Sequence, residues 1–387
     1  MKRIILIIIS CFVLQFSPAQ YDGYSSNSWE NQLEIEDLFL KHIDKTSFKK
    51  HLQKLTERPH VVGSKTNEEV IRYIGEVMNK AGLDVINYPY DVYLPKHPGS
   101  SLIEIVTPSR QVLNQKEDII SDDPFTKDSL LWKGWNAFSG SGDVTAEIVY
   151  ANYGRKEDFE TLKELGVDIK GKIVIARYGG NFRGYKAKFA EANGAAGLII
   201  YTDPKDSGFA RGLVYPEGPY YNESTIQRGS LLTTDFTGDP LTPFEPALPL
   251  DGKKKIKRLD PKEAQLHTIP VTPIGYGEAE KILSQMKGVV VPQSWQGGLP
   301  FTYRLEGGAS LTVRLKVDQK IDFVRATNVI GTLKGSEAPN EWIILGCHLD
   351  SWGFGATDPS SGTAMLLSLS ETLGKLKEDG FAPKRSI

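Results

Sequence analysis

The sequence predicts an α/β protein in two parts, on three observations. Between residues 144 and 201, short β-branched runs alternate with helical patterns, as in a strand–helix–strand unit. Near the end, an apolar strand passes through a Gly-rich loop into a helix with 3.6-residue periodicity. The length, 387 residues, exceeds what one compact core usually organises, so two domains or one domain with a large insertion is expected. Hydrophobic residues make up 40% and charged residues 24%, which excludes wholesale disorder.

The elements follow in chain order. Lys2 and Arg3 precede an apolar run, Ile4 to Phe16, and then Ser17-Pro18-Ala19-Gln20, so residues 1–20 read as a secretory signal peptide. The run is shorter than the ~20 residues of a spanning helix. Export would leave Cys347 as the one mature cysteine, so no intrachain disulfide is expected. The balance of 46 basic against 48 acidic residues gives no global attraction to nucleic acid or anionic membrane, and losing Lys2 and Arg3 shifts it to 44 against 48. The basic run Lys253 to Arg258 lacks interleaved aromatics and reads as a solvated loop.

From Phe48 to Leu94 the pattern is helix, loop, helix, strand. Thr66 and Glu69 stand at capping-box spacing, Val70, Ile71, Ile74, Val77 and Met78 form an apolar face, and Gly82 closes that helix. A strand is expected over residues 84–93. Residues 95–142, rich in Pro, Gly, Ser and Asp, read as a boundary without strong periodicity. Next come strand 146–150, helix 156–165, strand 172–177, helix 185–192 and strand 196–201. Residues 202–249 read as long loops over that unit, of a kind that often carries binding surfaces. Gly275-Tyr276-Gly277 opens a helix over 278–286; with no third glycine and no apolar strand before it, it reads as a turn and not a dinucleotide loop. Strands over 328–333 and 342–345 then lead into the loop 346–358 and a helix over 360–378, with Asp358 as N-cap and Pro359 at its first position.

The chemistry concentrates in that loop. His348 offers a common zinc ligand, and Asp350, on the same side of an extended chain, can accept the other imidazole N–H and fix the tautomer. Asp358 can supply a carboxylate able to bridge two metals. By spacing alone, a packed histidine and an ordinary helix cap fit the same residues, and a zinc site needs a third ligand that nothing nearby supplies. No Gly-x-Ser-x-Gly elbow, His-Glu-x-x-His helix or phosphate loop is present. Cys347, following an apolar strand, reads as a small core residue and not a nucleophile.

Taken together, the runs Asn328-Val-Ile-Gly-Thr-Leu-Lys-Gly335 and Gly346-Cys-His-Leu-Asp-Ser-Trp-Gly-Phe-Gly-Ala-Thr-Asp-Pro-Ser-Ser-Gly362 resemble the zinc exopeptidase family of glutamate carboxypeptidase II. Pro59-His-Val-Val-Gly63, Gly171-Lys-Ile-Val-Ile-Ala-Arg-Tyr-Gly179, Phe182-Arg-Gly184, Gln227-Arg-Gly229, Gly238-Asp-Pro-Leu-Thr-Pro243 and Ile269-Pro-Val-Thr-Pro-Ile-Gly275 extend the resemblance over nearly the whole mature chain. It implies a mixed-sheet zinc peptidase domain from residues 38–104 and 321–387, present in its first part, with a protease-associated (apical) domain inserted over 105–320.

The resemblance also implies roles. His348 would bind one of two zinc ions, Asp358 would bridge both, and Asp350 would steady His348. Arg183 would hold the substrate's free α-carboxylate, a task suited to a guanidinium fork, with Phe182 beside it. Ser230 replaces an asparagine of the family, which leaves preference for C-terminal glutamate open. Thr242 and Glu245 fall at a calcium position. The implied activity is hydrolysis of peptides or N-acylated amino acids by a water that a glutamate deprotonates. That glutamate, a second one that binds zinc, a further Asp and His, and a helical dimerisation domain follow in the family after the strand begun at Pro383–Ile387. The 387 residues therefore read as an amino-terminal part, inactive alone, of a homodimer. An aminopeptidase of the same family and a non-enzymatic relative like the transferrin receptor are the alternatives.

Overall fold

The computed structural model describes residues 26–387, so the expected signal peptide lies outside the described residues. Helices α1 (Ser26–His42), α2 (Lys45–Leu55) and α3 (Lys65–Lys80) lead into β1 (Asp84–Leu94). Then come β2 (Ser100–Thr107), β3 (Gln111–Val112), β4 (Asn136–Ala137), β5 (Gly142–Tyr150), α4 (Lys156–Glu164), β6 (Ile173–Arg177), α5 (Arg183–Ala192) and β7 (Gly197–Tyr201). After α6 (Pro204–Ser207), the short strands β8 (Gly229–Ser230), β9 (Gly238–Asp239) and β10 (Thr242–Pro243) precede β11 (Val271–Ile274) and α7 (Tyr276–Leu283). The chain finishes with β12 (Thr312–Asp318), β13 (Asp322–Thr332), β14 (Ala338–Trp342), α8 (Ser360–Glu378) and β15 (Arg385–Ser386).

A mixed seven-stranded sheet, ordered β11-β7-β6-β5-β12-β2-β3, forms the larger unit. Two of its inner strands, β6 and β7, are buried on both faces, which is why they read as continuous apolar runs with no alternation. β12 joins β5 and β2 in antiparallel register, so β2 belongs to this sheet, and Ile103 and Ile105 sit in its core. The expected domain boundary at 104/105 therefore falls inside β2, a strand of the larger sheet. β2 escaped the sequence reading because its main partner, β12, is more than 200 residues away and its other partner, β3, is only two residues long.

β11 corrects a second expectation. A fully buried strand does lead into Gly275, pairing in parallel with β7. It lies at the sheet edge, where Pro273 removes no needed hydrogen bond, and that proline masked it.

The smaller unit pairs β1 with β13 over eleven antiparallel positions, Asp84 opposite Thr332 to Leu94 opposite Asp322. Leu55, Val70, Ile74, Met78, Ala364 and Leu367 pack α2, α3 and α8 into one core, with Val85 and Val329 of the strand pair against it. The cap of α3 is Ser64, not Thr66: Ser64 accepts from Asn67 N at 3.1 Å, while the Thr66 hydroxyl donates to Pro59 O at 2.6 Å. The expected strand over 342–345 shifts to β14, which ends at Trp342. Ile343 N still donates to Ser386 O, but Trp342, Ile343, Ile344 and Leu345 are exposed. Cys347 is exposed with them, not in the core.

Candidate functional site

The loop 346–359 leaves the smaller unit's strand and enters α8. Ser351 N donates to His60 O at 3.2 Å and His60 N to Gly353 O at 3.3 Å, a backbone clasp between this loop and the segment 58–63. The Thr363 hydroxyl of α8 donates to His348 O at 2.9 Å. Trp352 packs edge-on against the buried Trp135 at 5.1 Å, and Trp135 against Trp132 at 6.2 Å, so the larger unit's side chains grip the loop from the other side. Burial pushes the His60 imidazole below its ordinary value.

Within this frame His348 sits between two carboxylates. Its Nδ1 lies 3.3 Å from Asp350 Oδ1 and its Nε2 2.9 Å from Asp358 Oδ1. The bond to Asp350, and then the one to Asp358, push the imidazole up to about 9. Asp358 does not cap α8; the capping position is Pro359, after a cis Asp358–Pro359 peptide, and the Asp358 carboxylate turns to His348.

As metal donors, His348 Nε2 and Asp358 Oδ1 fit part of a zinc site. Two ligand atoms at about 2.0–2.1 Å on one tetrahedral zinc stand roughly 3.3 Å apart, close to the spacing of this pair. Asp350 on Nδ1 supplies the outer carboxylate that fixes the tautomer. Among the described residues, no group of three or more His, Cys, Asp and Glu side chains is assembled that could hold a metal ion.

Arg183 opens α5, following Phe182. Its guanidinium lies 5.2 Å from the Phe182 ring and 5.7 Å from the Tyr178 ring, with one 3.4 Å contact from Nη1 to Ser230 O. Arg183 Nε is buried without a partner. The Ser230 hydroxyl accepts from Leu232 N at 3.0 Å, so Ser230 meets Arg183 through its backbone. Arg183 and Asp358 line the same cleft, a cavity of about 690 Å³.

Thr242 and Glu245 lie apart from this cleft. Thr242 is buried with its hydroxyl unpartnered, and Glu245 N donates to Thr242 O at 3.1 Å.

Sequence reasoning missed part of the cleft wall, Ile120, Phe125 and Leu131, while Tyr215 and Arg228 fall within the 202–249 loops that it associated with binding. They come from loops without periodicity; aromatic residues inside Pro/Gly-rich segments were the one available signal.

Comparison with known proteins bears on the family and the fold. Residues 144–234 match the PA domain and residues 328–387 match peptidase family M28. A glutamate carboxypeptidase 2 homolog of Caenorhabditis briggsae is 35% identical over 390 residues, covering 96% of this chain and 50% of the relative. The chain belongs to the glutamate carboxypeptidase II-like family. The aminopeptidase NAALADL1 of Rattus norvegicus is 33% identical over 406 residues, covering 98% of this chain and 53% of the relative. The chain thus spans about half the length of the curated relatives it matches. A peptidase M28 precursor from Shewanella amazonensis SB2B has the same fold, with a TM-score of 0.53 and 17% identity, covering 92% of this chain and 66% of that one. The fold is the mixed-sheet M28 type carrying a PA domain. No helix among the described residues is long and apolar enough to cross a membrane.

Proposed function

We propose that this chain forms the substrate-clamping and first metal-binding part of an exported zinc exopeptidase acting on peptides or N-acylated amino acids with a free C-terminal carboxylate. One observation carries the reading: Arg183 makes no ion pair among the described residues, and it lines the same cleft as Asp358, the hydrogen-bond partner of His348. A carboxylate on the Arg183 fork would bring the adjoining amide toward the His348–Asp358 pair. Zinc, when bound, would polarise that amide carbonyl and acidify a water. His348 Nε2 and Asp358 hold the metal in this reading, Asp350 orients His348, and Phe182 flanks the guanidinium.

Two direct ligands make a weak site, so the 387 residues by themselves should hold zinc loosely and hydrolyse no peptide. A calcium ion at Thr242 and Glu245 belongs to the same proposal, supported by the orphaned Thr242 hydroxyl, a hard oxygen donor. So does a homodimer of the whole protein.

The second reading is an aminopeptidase, favoured by the name of the rat relative and by the carboxylates of Asp118 and Asp123 in the cleft. An NMR titration separates the two. N-acetyl-Ala-Ala with a free carboxylate should bind, its C-terminal amide should bind at least tenfold more weakly, and Arg183→Ala should erase that difference. Equal binding of acid and amide would favour the aminopeptidase.

A further inference from the structure

The cleft beside Arg183 has a charge pattern that the zinc ligands do not explain. Its lining holds two cations, Arg183 and Arg228. Arg228 is consumed: Nη1 and Nη2 grip the Glu117 carboxylate at 2.5 and 2.7 Å, and Nη2 also donates to Trp132 O. The other charged groups in the lining, Asp118, Asp123 and Asp358, are acidic. One carboxylate therefore has a partner here, and a second would meet like charge in a partly desolvated site.

Next to these groups the wall is apolar. Ile120, Phe125, Leu131 and Phe354 line it, and the Phe125 and Phe354 rings meet edge-on at 6.3 Å. Phe125 comes from the larger unit and Phe354 from the loop carrying Asp358, so the wall spans the junction of the two. Phe125 nevertheless remains 50% exposed. Its backbone is fixed: the Asp123 carboxylate accepts from Phe125 N at 3.0 Å and from the Tyr215 hydroxyl at 2.7 Å. An aromatic ring on a hydrogen-bonded backbone, half-exposed in the same cleft as a guanidinium that has no carboxylate partner among the described residues, suits an amphipathic ligand with one anionic end.

We infer that this wall is the side-chain subsite for the residue whose α-carboxylate Arg183 takes, and that it selects an uncharged apolar C-terminal residue over glutamate. The inference rests on Arg183 being the carboxylate clamp. Phe125 acts in it as a specificity-determining residue.

The test is an NMR titration of the chain with N-acetyl-Ala-Phe, N-acetyl-Ala-Glu and N-acetyl-Ala-Phe amide. The Phe acid should bind about tenfold tighter than the Glu acid, as expected for transferring part of an aromatic ring out of water. Phe125→Ala should reduce that preference to within about twofold, chiefly by weakening the Phe acid, while Phe125→Leu should keep most of it. Glu binding as tightly as Phe, or a Phe125→Ala loss shared equally by both acids, overturns the inference and leaves the clamp standing. An amide that binds as tightly as the acid overturns both, as does the absence of binding by all three.

Discussion

Gly229 lies flat against the guanidinium of Arg183: a Cβ built on Gly229 would stand 2.4 Å from Arg183 Cζ, and its φ of +145° belongs to a region L side chains rarely adopt. The glycine is thus the floor on which the proposed carboxylate clamp rests.

Gly229→Ala should displace Arg183 without touching any proposed metal ligand. Affinity for a free-carboxyl N-acetyl peptide should fall about tenfold or more, with the amide unaffected. NMR titration of the variant checks this; unchanged acid binding would show that the guanidinium position is irrelevant to the ligand.

Asp350 touches the Nδ1 side of His348 at 3.3 Å while Nε2 faces Asp358. Asp350→Asn should therefore weaken zinc binding by about 10–100-fold, the usual cost of losing an outer-shell carboxylate. His348→Ala should abolish binding at this position. Competition against a chromogenic chelator measures both, and equal affinity in Asp350→Asn and wild type would remove Asp350 from the metal site.

Asp91 and Arg325 sit directly opposite each other in the β1–β13 pair, joined at 2.5 and 2.9 Å, with Leu250 N donating to Asp91 at 2.7 Å. Arg325 and that amide hold the Asp91 carboxyl below its ordinary range. The unfolded chain thus binds this proton more readily than the folded one. The stabilisation is complete above the ordinary Asp value of about 3.9 and is lost as pH falls through the lower folded value. Asp91→Asn should cost about 1–2 kcal/mol at pH 7, toward the low end because Arg325 is half-exposed, and should flatten the acid limb of stability. Urea unfolding at pH 7 and pH 3 is the check; an unaltered pH dependence would contradict the assignment.

Local pattern made much of the fold legible. The helix Ser360–Glu378 and the alternation from β5 to β7 follow from residues that are neighbours in sequence. β2 and β11 were hidden because one pairs over most of its length with a strand more than 200 residues away and the other carries Pro273 at a sheet edge. At the site, His348, Asp350 and Asp358 were visible because one loop holds all three. Phe125 and Leu131 were not, since they join Arg183 in one cleft only after the larger unit folds. Asp358 shows the limit of capping rules: an Asp-Pro pair at a helix start looks like a cap, and a histidine ten residues earlier takes its carboxylate instead.

The most direct test of the account is zinc-edge anomalous diffraction from crystals of the chain grown with zinc and a free-carboxyl N-acetyl dipeptide. The expected map places zinc on His348 Nε2 and the Asp358 carboxylate, with the peptide carboxylate on Arg183 in the same cleft. Zinc bound elsewhere with this pair bare, or a peptide carboxylate seated away from Arg183, would contradict it.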